Sequence, residues 1–263
     1  ATAIINGDDD QAVVMISDCP ARTVTFSFTK VLDVECQILA NGTEGLTIRI
    51  GKVLVESSLM GVFNAYNLTE AFLICHTLGF EDDAIARALQ KAKGAPGRLE
   101  RVTGSGEDQP TILVDYAHTP DALKNVSKTL ADIKNSQQKL HVIFGCGGNR
   151  DKTKRPKMAA AVEPFADRVT VTSDNPRDED PESIIDEVME GFTSRDRVTR
   201  TADRKKAIEQ SIVQSDRNTI ILIAGKGHET YQEIKGKRHH FDDRQIARES
   251  LGGGKANPKS RGS

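Results

Sequence analysis

Arg168-Val169-Thr170-Val171-Thr172, followed closely by Asp174-Asn175-Pro176-Arg177, is the stretch that decides the fold class of this chain. The apolar run is typical of a buried strand, so the tetrapeptide lies where a strand leaves its sheet, the edge at which open α/β sheets bind ligands. Pro176 stiffens the loop and holds Asn175 extended. Arg177 offers a planar fork for a carboxylate, and Asn175 can both donate and accept. The combination suggests a pocket for a small zwitterion; the alternative is a helix-entry loop in which a polar residue caps the next helix.

Strands and helices alternate around this stretch. The predicted strands are 111–114, 140–144, 168–172 and 218–224, and the predicted helices are 120–133, 154–165, 181–192, 203–214 and 242–251. A hairpin is predicted over 231–241, with its turn at Gly236-Lys237. This alternation, with several strands that have all-apolar cores, predicts an α/β domain with a Rossmann-like, mostly parallel sheet covered by helices on both faces.

The first part of the chain has a different pattern. Short β-like runs occur at 13–16, 23–28, 34–39, 46–50 and 53–56, and helical spacing follows at 63–78 and 82–93. Gly94-Ala95-Pro96-Gly97 then forms a hinge. We therefore predict one domain over 1–96 and a second over 97–251. The glycine-rich, basic segment 252–263 is predicted to be a disordered or non-native tail.

Four loops follow predicted strands of the second domain, and the parallel arrangement should bring them to one edge. They are Asp115-Tyr116-Ala117-His118-Thr119-Pro120, Gly145-Cys146-Gly147-Gly148-Asn149-Arg150-Asp151-Lys152, Ser173-Asp174-Asn175-Pro176-Arg177 and Ala224-Gly225-Lys226-Gly227-His228-Glu229. All four are dense in glycine and in charged or hydrogen-bonding residues. We expect them to line one crevice, and this convergence carries more weight than any single motif.

Each loop also has a purely structural interpretation. The glycines at 145–148 would suit a flexible turn, Asp115 a cap, and His118 a hydrogen-bonded interior position. Arg150 and Arg155 would suit a solvated helix start. The Walker pattern G-x-x-x-x-G-K-[ST] occurs nowhere in the chain, and the histidines lack metal-ligand spacing.

Composition argues against a nucleic-acid-binding protein and against a membrane-spanning one. The 263 residues carry a formal net charge of −2 without a basic stripe, which argues against a nucleic-acid-binding protein. No apolar run approaches the ~20 residues needed to cross a bilayer. The four cysteines are scattered, which favours a reducing, cytoplasmic compartment. We expect neither a nucleic-acid partner nor a membrane partner, and a monomer.

Seven motifs in order give the chain a resemblance to the C-terminal half of the Mur ligase family, most closely to its diaminopimelate-adding (MurE) type. Besides the four loops, Leu59-Met60-Gly61-Val62-Phe63-Asn64-Ala65-Tyr66-Asn67, Gly97-Arg98-Leu99-Glu100 and Phe241-Asp242-Asp243-Arg244 match family motifs. The similarity covers residues 1–251, and Asp-Asn-Pro-Arg is the signature of the diaminopimelate-adding enzymes. The resemblance implies that 1–96 is the rear part of a partial α/β ATPase (central) domain and 97–251 the amino-acid-binding domain.

The resemblance also implies a set of ligand contacts. The residues implied for meso-diaminopimelate are Arg150, Asp174, Asn175, Pro176, Arg177, Gly225 and Glu229. Within that set, the implied carboxylate ligands are Arg150, Asn175 and Arg177, and Gly225 and Glu229 would hold the amino end. The residues implied for ATP are Asn64 and Asn67 near adenine and Arg98, Asp115 and His118 near ribose and phosphates. No catalytic residue and no metal ligand is assigned.

The implied activity is ATP-driven addition of meso-diaminopimelate to UDP-MurNAc-L-Ala-D-Glu in peptidoglycan precursor synthesis, with Mg²⁺. The sequence lacks the family's UDP-sugar domain, phosphate-binding loop and carbamylated, magnesium-holding lysine. We therefore expect a later part of a longer polypeptide that is inactive alone, with the main Mg²⁺ ligands elsewhere and residues 1–96 poorly stable. The alternatives are a non-catalytic scaffold or binding module, another amide ligase such as a folylpolyglutamate or cyanophycin synthetase, and an oxidoreductase, which the absence of G-x-G-x-x-G disfavours.

Overall fold

A computed structural model of the chain describes residues 1–104 and 108–252. The chain divides into two compact units, Ala1–Gly94 and a second that begins at Ala95. The sequence-based boundary after residue 96 lies next to this division. Within the described ranges, no helix is long and apolar enough to cross a membrane. The predicted tail lies outside the described residues, except for Gly252, which ends the last helix.

The first unit contains five strands and three helices. In chain order they are β1 (Thr2–Asn6), α1 (Ala12–Ser17), β2 (Arg22–Ser27), β3 (Val34–Gly42), β4 (Gly45–Ile50), β5 (Val53–Ser57), α2 (Val62–Thr77) and α3 (Asp82–Gln90). The sheet order is β1-β2-β3-β4-β5, with β1, β2 and β3 parallel and β3, β4 and β5 antiparallel. Phe26, Ile48 and Phe72 are among the buried residues of this unit's own core.

One prediction in this unit is wrong. The apolar run at 13–16 was predicted as a strand because valine and isoleucine favour strands, but it lies in helix α1. The physical reason is topological. Strands β1 and β2 are parallel neighbours, and parallel strands require a crossover connection, which is usually helical. The segment between Asn6 and Arg22 is that crossover.

The second unit contains eight strands and five helices among its described residues. They are β6 (Glu100–Val102), β7 (Thr111–Asp115), α4 (Pro120–Ile133), β8 (Lys139–Cys146), α5 (Lys154–Val162), β9 (Arg168–Ser173), α6 (Pro181–Met189), β10 (Val198–Thr201), α7 (Arg204–Val213), β11 (Thr219–Ala224), β12 (Tyr231–Ile234), β13 (Lys237–His240) and α8 (Asp243–Gly252). Every predicted strand, helix and hairpin of this unit is present, with ends shifted by a few residues. The α/β class is confirmed.

The main sheet of the second unit has the order β10-β9-β8-β11-β7-β6. The pairs between β10, β9, β8, β11 and β7 are parallel, and the edge strand β6 is antiparallel to β7. All six residues of β11 are buried, as expected for a central strand covered on both faces. Parallel pairing brings the carboxyl ends of β7, β8, β9 and β11 to one edge of the sheet.

Candidate functional site

The four loops at this sheet edge surround one cavity of about 370 Å³. The residues that line it are Tyr116, His118, Gly145, Gly147, Arg150, Lys154, Asp174, Asn175, Arg177, Gly225, Glu229 and Tyr231. Six of the seven residues implied for meso-diaminopimelate are among them. Pro176 is not, but a Cβ on Gly148 would clash with the Pro176 carbonyl oxygen. The predicted convergence of the four loops is confirmed.

Asn175 is the central hydrogen-bonding residue of the cavity. Its Oδ1 accepts from the Lys226 Nζ at 2.9 Å and from the Glu233 backbone N–H at 2.9 Å. Its Nδ2 donates to Glu229 Oε2 at 3.2 Å. The side chain thus joins the loops after β9 and β11. The cap of α6 is Asp180, whose side chain accepts from the Ser183 N–H, so the helix-capping interpretation of the tetrapeptide is wrong.

Arg177 is held in place by both its backbone and its side chain. Its φ is 53°, in the left-handed region that non-glycine residues seldom occupy. Its N–H donates to the Glu233 carbonyl at 3.0 Å, and its own carbonyl accepts from the Lys235 N–H at 2.8 Å. The guanidinium donates from Nη1 to the Gly148 carbonyl at 2.8 Å, and its Nε lies 3.3 Å from Glu233 Oε2. The guanidinium therefore reaches the cavity already oriented.

A buried arginine fixes the glycine-rich loop after β8. Arg155 is fully buried and forms ion pairs with Glu179 and Glu187, each at 2.9 Å. Glu179 Oε1 also accepts from the Asn149 N–H at 2.5 Å. The Arg155 hydrogen bonds, followed by the Asn149 N–H, lower the pKa of Glu179 to about 2. The solvated interpretation is wrong for Arg155, whereas Arg150 is exposed and is one of the residues that line the cavity.

Sequence reasoning gave no role to the lining residues Tyr116, Lys154 and Tyr231, nor to Lys226, which is buried behind the cavity wall. Its side chain is fully buried, and its Nζ lies 3.5 Å from Asp174 Oδ1 and 3.4 Å from Glu229 Oε2. The ammonium also lies 5.6 Å from the centre of the Tyr231 ring, within cation–π range. One sequence signal could have found Lys226: it lies between two glycines, in the loop that follows the largely apolar strand β11.

The flanking glycines turn Lys226 towards the protein interior. Gly225 and Gly227 have φ values of 120° and 53°. A Cβ on Gly225 would lie 2.7 Å from Asp174 Oδ2, and a Cβ on Gly227 would lie 2.7 Å from the Tyr116 Cβ. Both backbone conformation and space therefore require glycine at these positions.

We expect Gly225→Ala to destabilise the second unit by about 1–3 kcal/mol, because alanine is strained at this φ and its Cβ would displace the Asp174 carboxylate. Urea denaturation followed by the amide NMR signals of β8 and β11 measures this. The matched control is Gly236→Ala, which also has a positive φ, of 72°, but open space around its Cα. If the two variants lose the same free energy of unfolding, the contact between the new Cβ and Asp174 does not contribute to the destabilisation.

A buried ion pair lies beneath the loops after β9 and β11. Arg204 and Asp243 are both fully buried, with the Arg204 Nη2 2.7 Å from Asp243 Oδ2. Arg204 also donates to the carbonyls of Ser173 at 3.3 Å and Ala224 at 3.0 Å, the last residues of the two strands. Burial alone would lower the pKa of Arg204, but the charge of Asp243 raises it above its ordinary value. Asp243 belongs to the Phe-Asp-Asp-Arg motif, so this motif supports the site from below.

The residues implied for ATP lie in both units. In the first unit, Asn64 Nδ2 donates to the Met60 carbonyl at 2.8 Å, and Asn67 donates to Asn64 Oδ1 at 3.2 Å. In the second unit, Arg98 lies 5.3 Å from the Tyr116 ring centre, and the exposed His118 ring lies 4.7 Å from it. The interior interpretation of His118 is therefore wrong.

Asp115, also implied for ATP, is engaged inside the protein. Its two oxygens accept from the N–H groups of Leu99 and Ala117, each at 2.8 Å. Burial raises the pKa of Asp115, and these two donors offset that only in part. The carboxylate thus ties the Gly-Arg-Leu-Glu motif to the loop after β7, close to the capping role that was the structural alternative.

The first unit has a larger cavity, of about 860 Å³, that we do not take as the candidate site. Thr2 and Arg22, at the amino ends of β1 and β2, lie in its wall together with the apolar Phe72 and Leu73. Ligands of parallel sheets bind at the opposite, carboxyl ends of strands. The smaller cavity, where polar groups from four loops converge, is the better candidate.

Comparison with known proteins places the chain in a class. Residues 97–227 match the family model described as "Mur ligase, glutamate ligase domain". The chain belongs to the Mur ligase family, whose members are ATP-dependent ligases.

Within this family, the chain is similar to UDP-N-acetylmuramoyl-L-alanyl-D-glutamate–2,6-diaminopimelate ligases. It is 41% identical over 251 residues to that of Cytophaga hutchinsonii, covering 95% of this chain and 51% of the relative. It is 42% identical over 254 residues to that of Aquifex aeolicus, with the same coverage of each. A solved structure of such a ligase has a TM-score of 0.74 at 39% identity and covers 95% of this chain and 53% of its own. The chain thus spans about half the length of these relatives.

Proposed function

We propose that this chain carries the amino-acid-binding site of a ligase that adds meso-2,6-diaminopimelate to UDP-N-acetylmuramoyl-L-alanyl-D-glutamate in peptidoglycan precursor synthesis. The observation that carries the proposal is the arrangement of opposite charges in the 370 Å³ cavity. Arg150 and Arg177 supply guanidinium groups, and Asp174 and Glu229 supply carboxylates. A ligand with both carboxylates and ammonium groups is the complement of such a cavity.

The proposed chemistry is amide formation through an acyl phosphate. The γ-carboxylate of the D-Glu residue accepts the terminal phosphoryl group of ATP with release of ADP, and the neutral amine of diaminopimelate attacks the resulting acyl phosphate. The tetrahedral intermediate expels phosphate, and the nitrogen loses its proton. The contribution of this chain is to hold the amino acid with its amine correctly placed, which lowers the entropic part of the barrier.

The nucleotide contacts remain part of the proposal. We assign Asn64 and Asn67 to adenine, and Arg98, Asp115 and His118 to ribose and phosphates. Within residues 1–104 and 108–252, no group of three or more His, Cys, Asp and Glu side chains is arranged to hold a metal ion. We also propose that the 263 residues alone do not complete the reaction, because they contain no Walker motif.

Arg177 provides the sharpest test of the amino-acid assignment. Diaminopimelate is lysine with an additional carboxylate, so a guanidinium that binds this group discriminates between the two. We expect Arg177→Ala to weaken meso-diaminopimelate binding about 10–100-fold, the equivalent of a charge-assisted hydrogen bond of roughly 1.5–3 kcal/mol, and to change lysine binding little. Ligand-detected NMR with both amino acids measures this on the chain as it stands.

Arg217→Ala is the matched control, because that side chain is 72% exposed and does not line the cavity. Its affinity for diaminopimelate should equal that of the unmodified chain. Equal binding of the two amino acids to the unmodified chain, or undiminished diaminopimelate binding to Arg177→Ala, would contradict the role of Arg177.

A further inference from the structure

Lys226 is a buried cation that the proposed function leaves without a role. Its side chain is fully buried, although its ammonium lies within 3.5 Å of the carboxylates of Asp174 and Glu229, which line the ligand cavity. An ammonium has three donors and no acceptor. Three side-chain oxygens surround this one: Asn175 Oδ1 at 2.9 Å, Glu229 Oε2 at 3.4 Å and Asp174 Oδ1 at 3.5 Å. The first two are hydrogen bonds and the third is an ion pair. Because the Lys226 side chain is fully buried behind these neighbours, it can act on a ligand only through them.

The first neighbour is Asn175, whose amide Lys226 orients. A carbonyl oxygen has two acceptor positions, and those of Asn175 Oδ1 are taken by the Lys226 ammonium and the Glu233 N–H. The amide nitrogen must then face the other way. One of its hydrogens reaches Glu229, and the second is available to a ligand. Asn175 is thereby set as a donor, and a donor in this position recognises a carboxylate, not an ammonium.

The second neighbour is Glu229. The Lys226 ammonium and the Asn175 amide both bind the same oxygen, Oε2. The other oxygen, Oε1, has no hydrogen-bond partner among the described residues and remains an acceptor for a ligand ammonium. Lys226 therefore makes Asn175 a hydrogen-bond donor and the neighbouring Glu229 a hydrogen-bond acceptor towards a ligand in the cavity.

We propose that Lys226 is a positioning residue that fixes the polarity of the amino-acid site: Asn175 is held as a donor to a ligand carboxylate, and Glu229 as an acceptor from a ligand ammonium. This inference rests on the proposed function for the identity of the ligand. It goes beyond that function by naming the residue that determines which end of an amino-acid group each side chain receives. The opposing explanation is that Lys226 only neutralises buried carboxylates and leaves Asn175 unaffected.

Two variants and one control test this inference on the full chain. Asn175→Asp keeps an oxygen for Lys226 and the Glu233 N–H but replaces the amide nitrogen by a second oxygen. Lys226→Met removes the ammonium and retains a buried chain of similar length. Lys237→Met, at an exposed position of β13, is the control. Binding of meso-diaminopimelate is measured by ligand-detected NMR. The side-chain amide signal of Asn175, assigned by its disappearance in Asn175→Asp, is followed in ¹H–¹⁵N spectra.

Whether Asn175→Asp weakens or strengthens meso-diaminopimelate binding shows whether Asn175 donates to the ligand or accepts from it. We expect meso-diaminopimelate binding to fall more than 30-fold, because a carboxylate would face the ligand carboxylate. If Asn175 instead accepted from an ammonium, the additional negative charge would strengthen binding, and the inference would be overturned. This variant is nearly isosteric, so its result does not depend on whether Lys226→Met folds.

The Lys226→Met result decides the role of the lysine. We expect at least a 10-fold loss of affinity and a displaced Asn175 amide signal, with Lys237→Met unchanged in both. An affinity within twofold of the unmodified chain and an unmoved Asn175 signal would leave Lys226 as a neutralising charge and refute the inference. If the unmodified chain does not bind meso-diaminopimelate, the proposed function fails. The Asn175 signal of the ligand-free Lys226→Met variant still decides whether Lys226 orients the amide.

Discussion

Replacement of Asp243 by alanine is expected to reduce the free energy of unfolding of the second unit by about 3–5 kcal/mol, because it leaves the Arg204 charge buried without its partner. Both side chains are fully buried, and Asp243 accepts from the Arg204 Nε at 2.9 Å and Nη2 at 2.7 Å. The same guanidinium donates to the carbonyls that end β9 and β11. Loss of Asp243 should therefore loosen the Asp-Asn-Pro-Arg loop and the Gly-Lys-Gly loop together.

Urea denaturation followed by the amide NMR signals of β8 and β11 reports on the second unit alone. Asp243→Asn, which keeps the shape but not the charge, should give an intermediate loss. Glu182→Ala removes a partner of the exposed Arg200 and should cost less than about 1 kcal/mol, as surface ion pairs do. A loss for Asp243→Ala no greater than that for Glu182→Ala would show that the buried pair contributes little.

The fold of the second unit could be predicted because its signals are local and strong. The largely apolar sequences of β8 and β11 are typical of parallel strands that are covered on both faces, and proline at the first turn marks the starts of α4 and α6. The edge strands β6 and β10 were not predicted, since they are three and four residues long and only partly buried. Helix α1 was mispredicted because the pairing of β1 with β2 is not visible in a local window.

The composition of the site could be predicted because parallel strands bring their following loops to one edge. Which of these residues face a ligand and which are engaged inside the protein could not be predicted. Sequence left a ligand-binding role and a structural role open for both Asp115 and Arg150; in the structure Asp115 has both oxygens bound to backbone N–H groups, whereas Arg150 is exposed. The burial of Lys226 and Arg204 depends on partners more than 30 residues away. Such long-range pairing has no periodicity that a single sequence displays.

His141 on β8 should make the second unit acid-sensitive. It is buried, its Nε2 lies 2.8 Å from the Thr170 Oγ1, and its Nδ1 has no hydrogen-bond partner among the described residues. Burial, followed by the charge of Arg168, lowers the pKa of His141 to about 4 from an ordinary value of 6.5. Between these values the unfolded chain binds a proton that the folded chain does not, so stability falls as the pH decreases through this window.

Over this window the contribution of His141 amounts to about 3 kcal/mol, at roughly 1.4 kcal/mol per pKa unit. We therefore expect the free energy of unfolding to fall by about that much more between pH 7 and pH 4 in the unmodified chain than in His141→Gln, which keeps a polar group for Thr170 but does not titrate. His239→Gln, on the exposed strand β13, is the matched control and should follow the unmodified chain. The unmodified chain and His141→Gln share every other titratable group, so the difference between these two isolates His141. Parallel pH profiles for the unmodified chain and His141→Gln would mean that the folded protein accommodates a charged imidazole between β8 and β9.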